Sequence, residues 1–192
     1  NKEEDVNLGV RAADTALSID QTDPFAHFAR GRISIFRADH EKSISAFKRA
    51  ISLNPNYALA HFGLAHGLLH AGHPAEALPH HDEAMRLSPH DPIQWAFLAS
   101  KAIALIMVER LEEGIALSQD AQRSNESHLF VYLAEVSGLG NLGRKTAAAD
   151  ALNRLEKVQP GISLAFIEQS LPMAESDGKS RFLRGLKLAG MN

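Results

Sequence analysis

The sequence contains no cysteine. Disulfides, thiolate metal sites and cysteine nucleophiles are excluded, and a reducing compartment, the cytoplasm, is the expected location. It also lacks a long apolar run. The longest, "WAFLASKAIALIMV" from Trp95 to Val108, carries Lys101 and falls short of the roughly 18 residues of a transmembrane helix, so no membrane association is expected. There is no excess of charge of one sign. The formal net charge of −3 gives no electrostatic basis for direct nucleic-acid binding. Signatures of catalysis are missing too. "SGLGNLG", Ser137 to Gly143, superficially suggests a phosphate loop, but no strand pattern precedes it. No Gly-x-Ser-x-Gly elbow occurs, and the acidic residues are scattered along solvated faces. We expect no catalytic residue, no metal and no cofactor. The chain begins with Asn1, not Met, and is expected to be a piece of a longer parent.

What is present is a repeat. Pro55 of "LNP" and Pro89 of "LSP" stand 34 residues apart, and "VQP" ends at Pro160. Aligned on the prolines, Ala50, Ile51 and Leu53 match Ala84, Met85 and Leu87. Ser43 and Phe47 match Ala77 and His81. Ala38, Gly72 and Gly143 fall at one position, which predicts a turn between two helices. Ile44, Phe47, Ala50 and Ile51 form an amphipathic helical stripe. Pro55 and Pro89 cannot continue a helix, so a helix should end ahead of each. Small residues at Gly31, Ala65 and Ala99 should let paired helices approach closely.

A 34-residue helix–turn–helix period of this composition resembles the tetratricopeptide repeat. The resemblance implies an all-α, right-handed solenoid with capping helices at its C-terminal end. The whole chain, 1–192, is expected to be one such domain. A lone helix in 1–23 carries Gly9, Ala13, Ala16 and Ile19 at the matching sites. Full repeats follow at 24–57, 58–91, 92–128 and 129–161. The third holds about three extra residues around "IMVERLEE" and no glycine at its turn, so longer helices or a shifted turn are expected there. Residues 162–192 leave the period. Two short helices separated near Pro172 should cap the last repeat, whose apolar end would otherwise face water.

Half of the ten histidines lie in "AHGLLHAGHPAEALPHH", Ala65 to His81. His66 and His70 share a helix face at i, i+4, a spacing able to chelate a divalent metal, but no third ligand is placed to join them. His81 occupies the site of Phe47 and should be a packed, hydrogen-bonded core residue. In the family that the repeat resembles, the inner face of the first helices lines a partner-binding groove. The matching positions are Arg32, Phe36, Phe62, His66, His70, Ser100, Ser137 and Asn141. Aromatics, imidazoles and hydroxyls there suit a protein or peptide ligand. The carboxylate clamp of the chaperone-binding subclass is incomplete, with only Arg32 and Asn141 at its sites.

A narrower likeness covers "AMRLSPHDPIQWAFLASKAIAL", "LGRKTAAADALNRLEKVQPGISLAFIEQSLP" and "RFLRGLKLAGM". These are similar to the C-terminal repeat regions of bacterial class III adenylate/guanylate cyclases. Such tails also occur on winged-helix regulators. The likeness implies a regulatory, protein-binding module attached to an N-terminal catalytic or DNA-binding domain, and a homodimer is compatible with it. A metal- or pH-responsive sensor at His66 and His70 is the alternative from another class.

Overall fold

The structure is a computed structural model that describes residues 2–192. The described residues form eleven α-helices and no strand. They divide into two compact units, one ending at Ser88 and one running from Pro89 to Asn192. The first unit holds α1 (Lys2–Ile19), α2 (Pro24–Phe36), α3 (His40–Leu53), α4 (Ala58–His70) and α5 (Pro74–Leu87). The second holds α6 (Gln94–Met107), α7 (Leu111–Ser124), α8 (Phe130–Asn141), α9 (Lys145–Val158), α10 (Leu164–Ser170) and α11 (Asp177–Leu188).

Local sequence explains the helix ends of the first unit. The Asp23 carboxylate accepts from the Phe25 amide at 2.8 Å and caps α2, whose first residue is Pro24. This satisfies one orphan donor and places proline where its missing N–H costs nothing. Asp39 caps α3 through the Lys42 amide. Between α2 and α3 the chain reverses at Ala38, φ 55°, and between α4 and α5 at Gly72, φ 86°. The core of the hairpins is Phe47, with 0% of its surface exposed. Its ring is wedged against Gly31 of α2 and Gly63 of α4, where added Cβ atoms would lie 2.8 Å and 2.3 Å from it.

The second unit repeats the hairpin with a changed register. The left-handed turn residues are Ala38, Gly72, Glu109 and Gly143. The middle interval is 37 residues, against 34 for each of the others. Two of the three extra residues lie in the connection before α6, which runs over 88–93, whereas the one before α4 runs over 54–57. The third lengthens α6 to 14 residues from the 13 of α2 and α4. The surplus therefore enters mostly ahead of "IMVERLEE". Glu109, φ 67°, takes the left-handed position without being glycine.

A polar network joins α7, α8 and α9. Glu135, only 3% exposed, accepts from Gln119, Gln122 and Arg154, each at 2.8 Å. Ser118 donates to the Val131 carbonyl at 2.6 Å and accepts from the Glu135 amide at 3.1 Å. Both carboxylate oxygens are thus satisfied, which is what makes a buried charge tolerable. At the C-terminal end α10 and α11 flank Pro172, and the Leu164 amide donates to the Asn192 carbonyl at 2.8 Å.

Candidate functional site

Counting back from the turn residues locates the face that the first helices of the repeats share. Six and two residues before Ala38 stand Arg32 and Phe36. The same offsets before Gly72 give His66 and His70. In the first unit these four residues and Phe62 belong to one face of α2 and α4. Phe36 is 58% exposed, and Arg32 is exposed with its guanidinium over the Phe28 ring, 6.0 Å from the centroid. Half-buried Phe62 stacks on His66 at 5.8 Å and touches the His81 ring at 6.0 Å.

His66 and His70 meet edge to face, their Nε2 atoms 3.2 Å apart. A hydrogen bond between two imidazole nitrogens needs one N–H and one lone pair, so at least one ring is neutral. Burial, then the neighbouring His70, His81 and Arg32, holds His66 well below the ordinary imidazole range. Among the described residues no group of three or more His, Cys, Asp or Glu side chains could hold a metal ion. His81 is fully buried, at the register of Phe47.

In the second unit the same offsets give Ile103 and Met107 before Glu109, and Ser137 and Asn141 before Gly143. Ser100 therefore lies three residues ahead of the position equivalent to His66, because the extra residues before the turn displace the 34-residue count. Ser100 is buried. Ser137 and Asn141 lie at the shared face, and the chain's own helix α11 covers them. The Ser137 hydroxyl donates to the Phe182 carbonyl at 2.7 Å. Asn141 donates to the Arg181 carbonyl at 3.1 Å and accepts from Arg184 Nε at 3.1 Å. An added Cβ on Gly140 would stand 2.0 Å from the Gly185 carbonyl oxygen, so the two backbones are in contact there. Arg181 pairs with Glu109 at 2.5 Å and donates to the Met107 carbonyl.

The eight residues singled out by sequence thus separate. Phe62, His66 and His70 touch in sequence in the first unit, Arg32 lies near His66, and Phe36 is exposed at the same register on α2. Ser137 and Asn141 are under α11 in the second, and Ser100 is off the register. Sequence reasoning did not single out Glu109 or Gly185. Their only sequence signals are the "GLG" of α8 and the spacing of Gly178, Phe182, Gly185 and Leu186, which marks a helical stripe that must be covered. No described helix is long and apolar enough to cross a membrane.

No protein-family model matches the chain, and no curated protein sequence matches it. Solved structures do. PilW, a type IV pilus biogenesis factor, aligns with TM-score 0.77 at 16% identity, over 98% of this chain and 83% of its own. YrrB, a tetratricopeptide protein described as having an unusual peptide-binding site, aligns with TM-score 0.67 at 19% identity, over 88% and 87%. A thermophilic tetratricopeptide protein of Thermus thermophilus aligns with TM-score 0.67 at 15% identity, over 97% and 100%. At these identities the likeness is one of architecture: the chain has the all-helical fold of tetratricopeptide-repeat proteins.

Proposed function

We propose that this chain is a non-catalytic protein-interaction module and that the α2/α4 face of its first unit holds a peptide or helix of a protein partner. The observation that carries this reading is the contrast between the two units. In the second unit the shared face is filled by a helix, α11. In the first it presents Phe36, more than half exposed, half-buried Phe62, and exposed Arg32, which makes no ion pair among the described residues. Aromatics with an adjacent guanidinium are the side chains most often responsible for interface affinity. The likeness to YrrB, described by its peptide-binding site, supports the same reading.

The test places a photo-crosslinking amino acid at position 36 of the full chain and identifies the captured protein. Phe36→Ala and Phe62→Ala are then assayed separately for binding to it. Loss of at least tenfold in affinity with an unchanged circular dichroism spectrum is expected. Unchanged affinity in both variants would remove the face from consideration. On the sequence likeness alone, we further propose that the module is the cytoplasmic regulatory tail of a bacterial adenylate/guanylate cyclase, acting on the parent's catalytic domain. Cyclase activity of the parent with and without residues 1–192 decides that point, and equal activity refutes it.

A further inference from the structure

The helix α11 is bound in the way a ligand helix is bound. Its buried stripe is Gly178, Phe182, Gly185, Leu186 and Ala189, spaced i, i+4, i+7, i+8 and i+11. The stripe lies along α8 and reaches α6. Gly185 sits where the backbones touch: a Cβ there would be 2.2 Å from the Ser137 carbonyl oxygen. Four polar contacts read the helix main chain or approach from its flank. Ser137 and Asn141 donate to two successive carbonyls, those of Phe182 and Arg181. Arg181 answers with its ion pair to Glu109 and its bond to the Met107 carbonyl.

One feature separates α11 from the hairpin helices. It follows a connection from α10, 171–176, that contains Pro172 and no helix, and it stands outside the repeat. Like α4 and α8 it holds two glycines, Gly178 and Gly185, each of which weakens an isolated helix by about as much as any residue short of proline, so its order leans on packing against α8 and α6.

We infer that the α6/α8 face is a helix-acceptor site and that α11 is its resident, exchangeable occupant. The partner that fits is a helix of the same chemistry. It carries glycine at closest approach, phenylalanine and leucine flanking that glycine on the buried side, and an arginine to meet the Glu109 turn. Such a helix gains the site only when α11 leaves it. The second unit's binding is thereby self-limited, independently of any ligand on the α2/α4 face of the first unit.

The absence of cysteine makes the test clean. A Cβ built on Gly178 falls 3.0 Å from the Met107 Cβ, about half an ångström shorter than the lower end of the usual disulfide range of roughly 3.5–4.5 Å, a gap that a small shift of α11 closes. The Met107→Cys/Gly178→Cys chain should oxidise to a locked form. The probe is a fluorescent peptide of residues 176–192, titrated against the full chain, with hydrogen exchange of α11 measured in parallel. Expected are α11 amides that exchange at least tenfold faster than those of α8, and saturable peptide binding to the reduced chain. Oxidation should weaken that binding at least tenfold, reductant should restore it, and a Gly185→Leu peptide should not bind. Equal binding to locked and reduced chains would overturn the inference. So would exchange of α11 as slow as that of α8, or equal binding of the Gly185→Leu peptide. Phe36 and Phe62 are intact in every arm, so these outcomes leave the reading of the first unit untouched.

Discussion

The wedge of Phe47 between two glycines makes a quantitative prediction about Gly63→Ala. In most exposed helix interiors this change stabilises a helix, by about 1 kcal/mol. Here the new methyl would stand 2.3 Å from Phe47 Cε1 and 2.7 Å from two other ring atoms. The ring cannot retreat toward α2, because Gly31 already lies so close that a Cβ there would be 2.8 Å away. Overpacking a well-filled core costs roughly 1–3 kcal/mol, occasionally more. A ring trapped on both sides belongs at the upper end, so a net loss of about 1–2 kcal/mol is expected after the propensity gain. Urea denaturation followed by circular dichroism would show a lower midpoint at unchanged slope. The internal control is Gly67→Ala, whose methyl meets only Ser43 Oγ at 3.1 Å and softer contacts beyond. The second control is Phe47→Leu, which frees space, so that adding Gly63→Ala should cost less than it does in the wild-type background. That non-additivity marks direct contact. A Gly63→Ala chain as stable as the wild type, or an additive double variant, would refute the wedge.

Other predictions follow from the same geometry. Ala38 holds φ 55°, a conformation costing roughly 1–2 kcal/mol for a residue with a Cβ. Ala38→Gly should therefore stabilise the first unit by about 0.5–1 kcal/mol after the entropy of the unfolded glycine, and a lower urea midpoint would contradict this. In the Glu135 network the two ends are unequal. Arg154→Met leaves the buried carboxylate with two neutral donors and should cost about 1.5–3 kcal/mol. Glu135→Met costs less, because Arg154 and Gln119 reach solvent; the reverse order in urea denaturation would disprove the asymmetry. The pH dependence has a definite sign. Burial depresses the His66 value in the folded state below its ordinary 6.5, so the unfolded chain takes up the proton first. Stability is full above about pH 6.5 and is lost as pH falls below it. The groups facing His66 are His70, His81 and Arg32, none of them acidic. His66→Gln should flatten the slope by up to one proton, and an unchanged slope would show that His66 does not titrate on unfolding.

The repeat was legible because its signals are local. Prolines that stop helices, the turn position shared by Ala38, Gly72 and Gly143, and the 3.6-residue spacing of apolar side chains all act within one hairpin. All three of those residues do adopt positive φ. The Phe47 site, the small residue at Gly31 and the burial of His81 follow from the same register. The register failed where insertions are silent in a sequence. Ser100 took the place of Ile103 because nothing in the residues distinguishes a longer loop before α6 from a longer turn after it.

The sequence by itself therefore determined the helices, their pairing and the kind of face they share. Each of those depends on residues a few positions apart. What covers that face depends on contacts between residues more than 40 apart, such as Ser137 with Phe182 or Asn141 with Arg184. Glycines, a serine and an asparagine on α8 read equally well as an open groove and as a bed for another helix. Only the tertiary structure decided between them. It placed the backbone of α11 against Gly140 in the second unit and left Phe36 and Arg32 at the surface of the first.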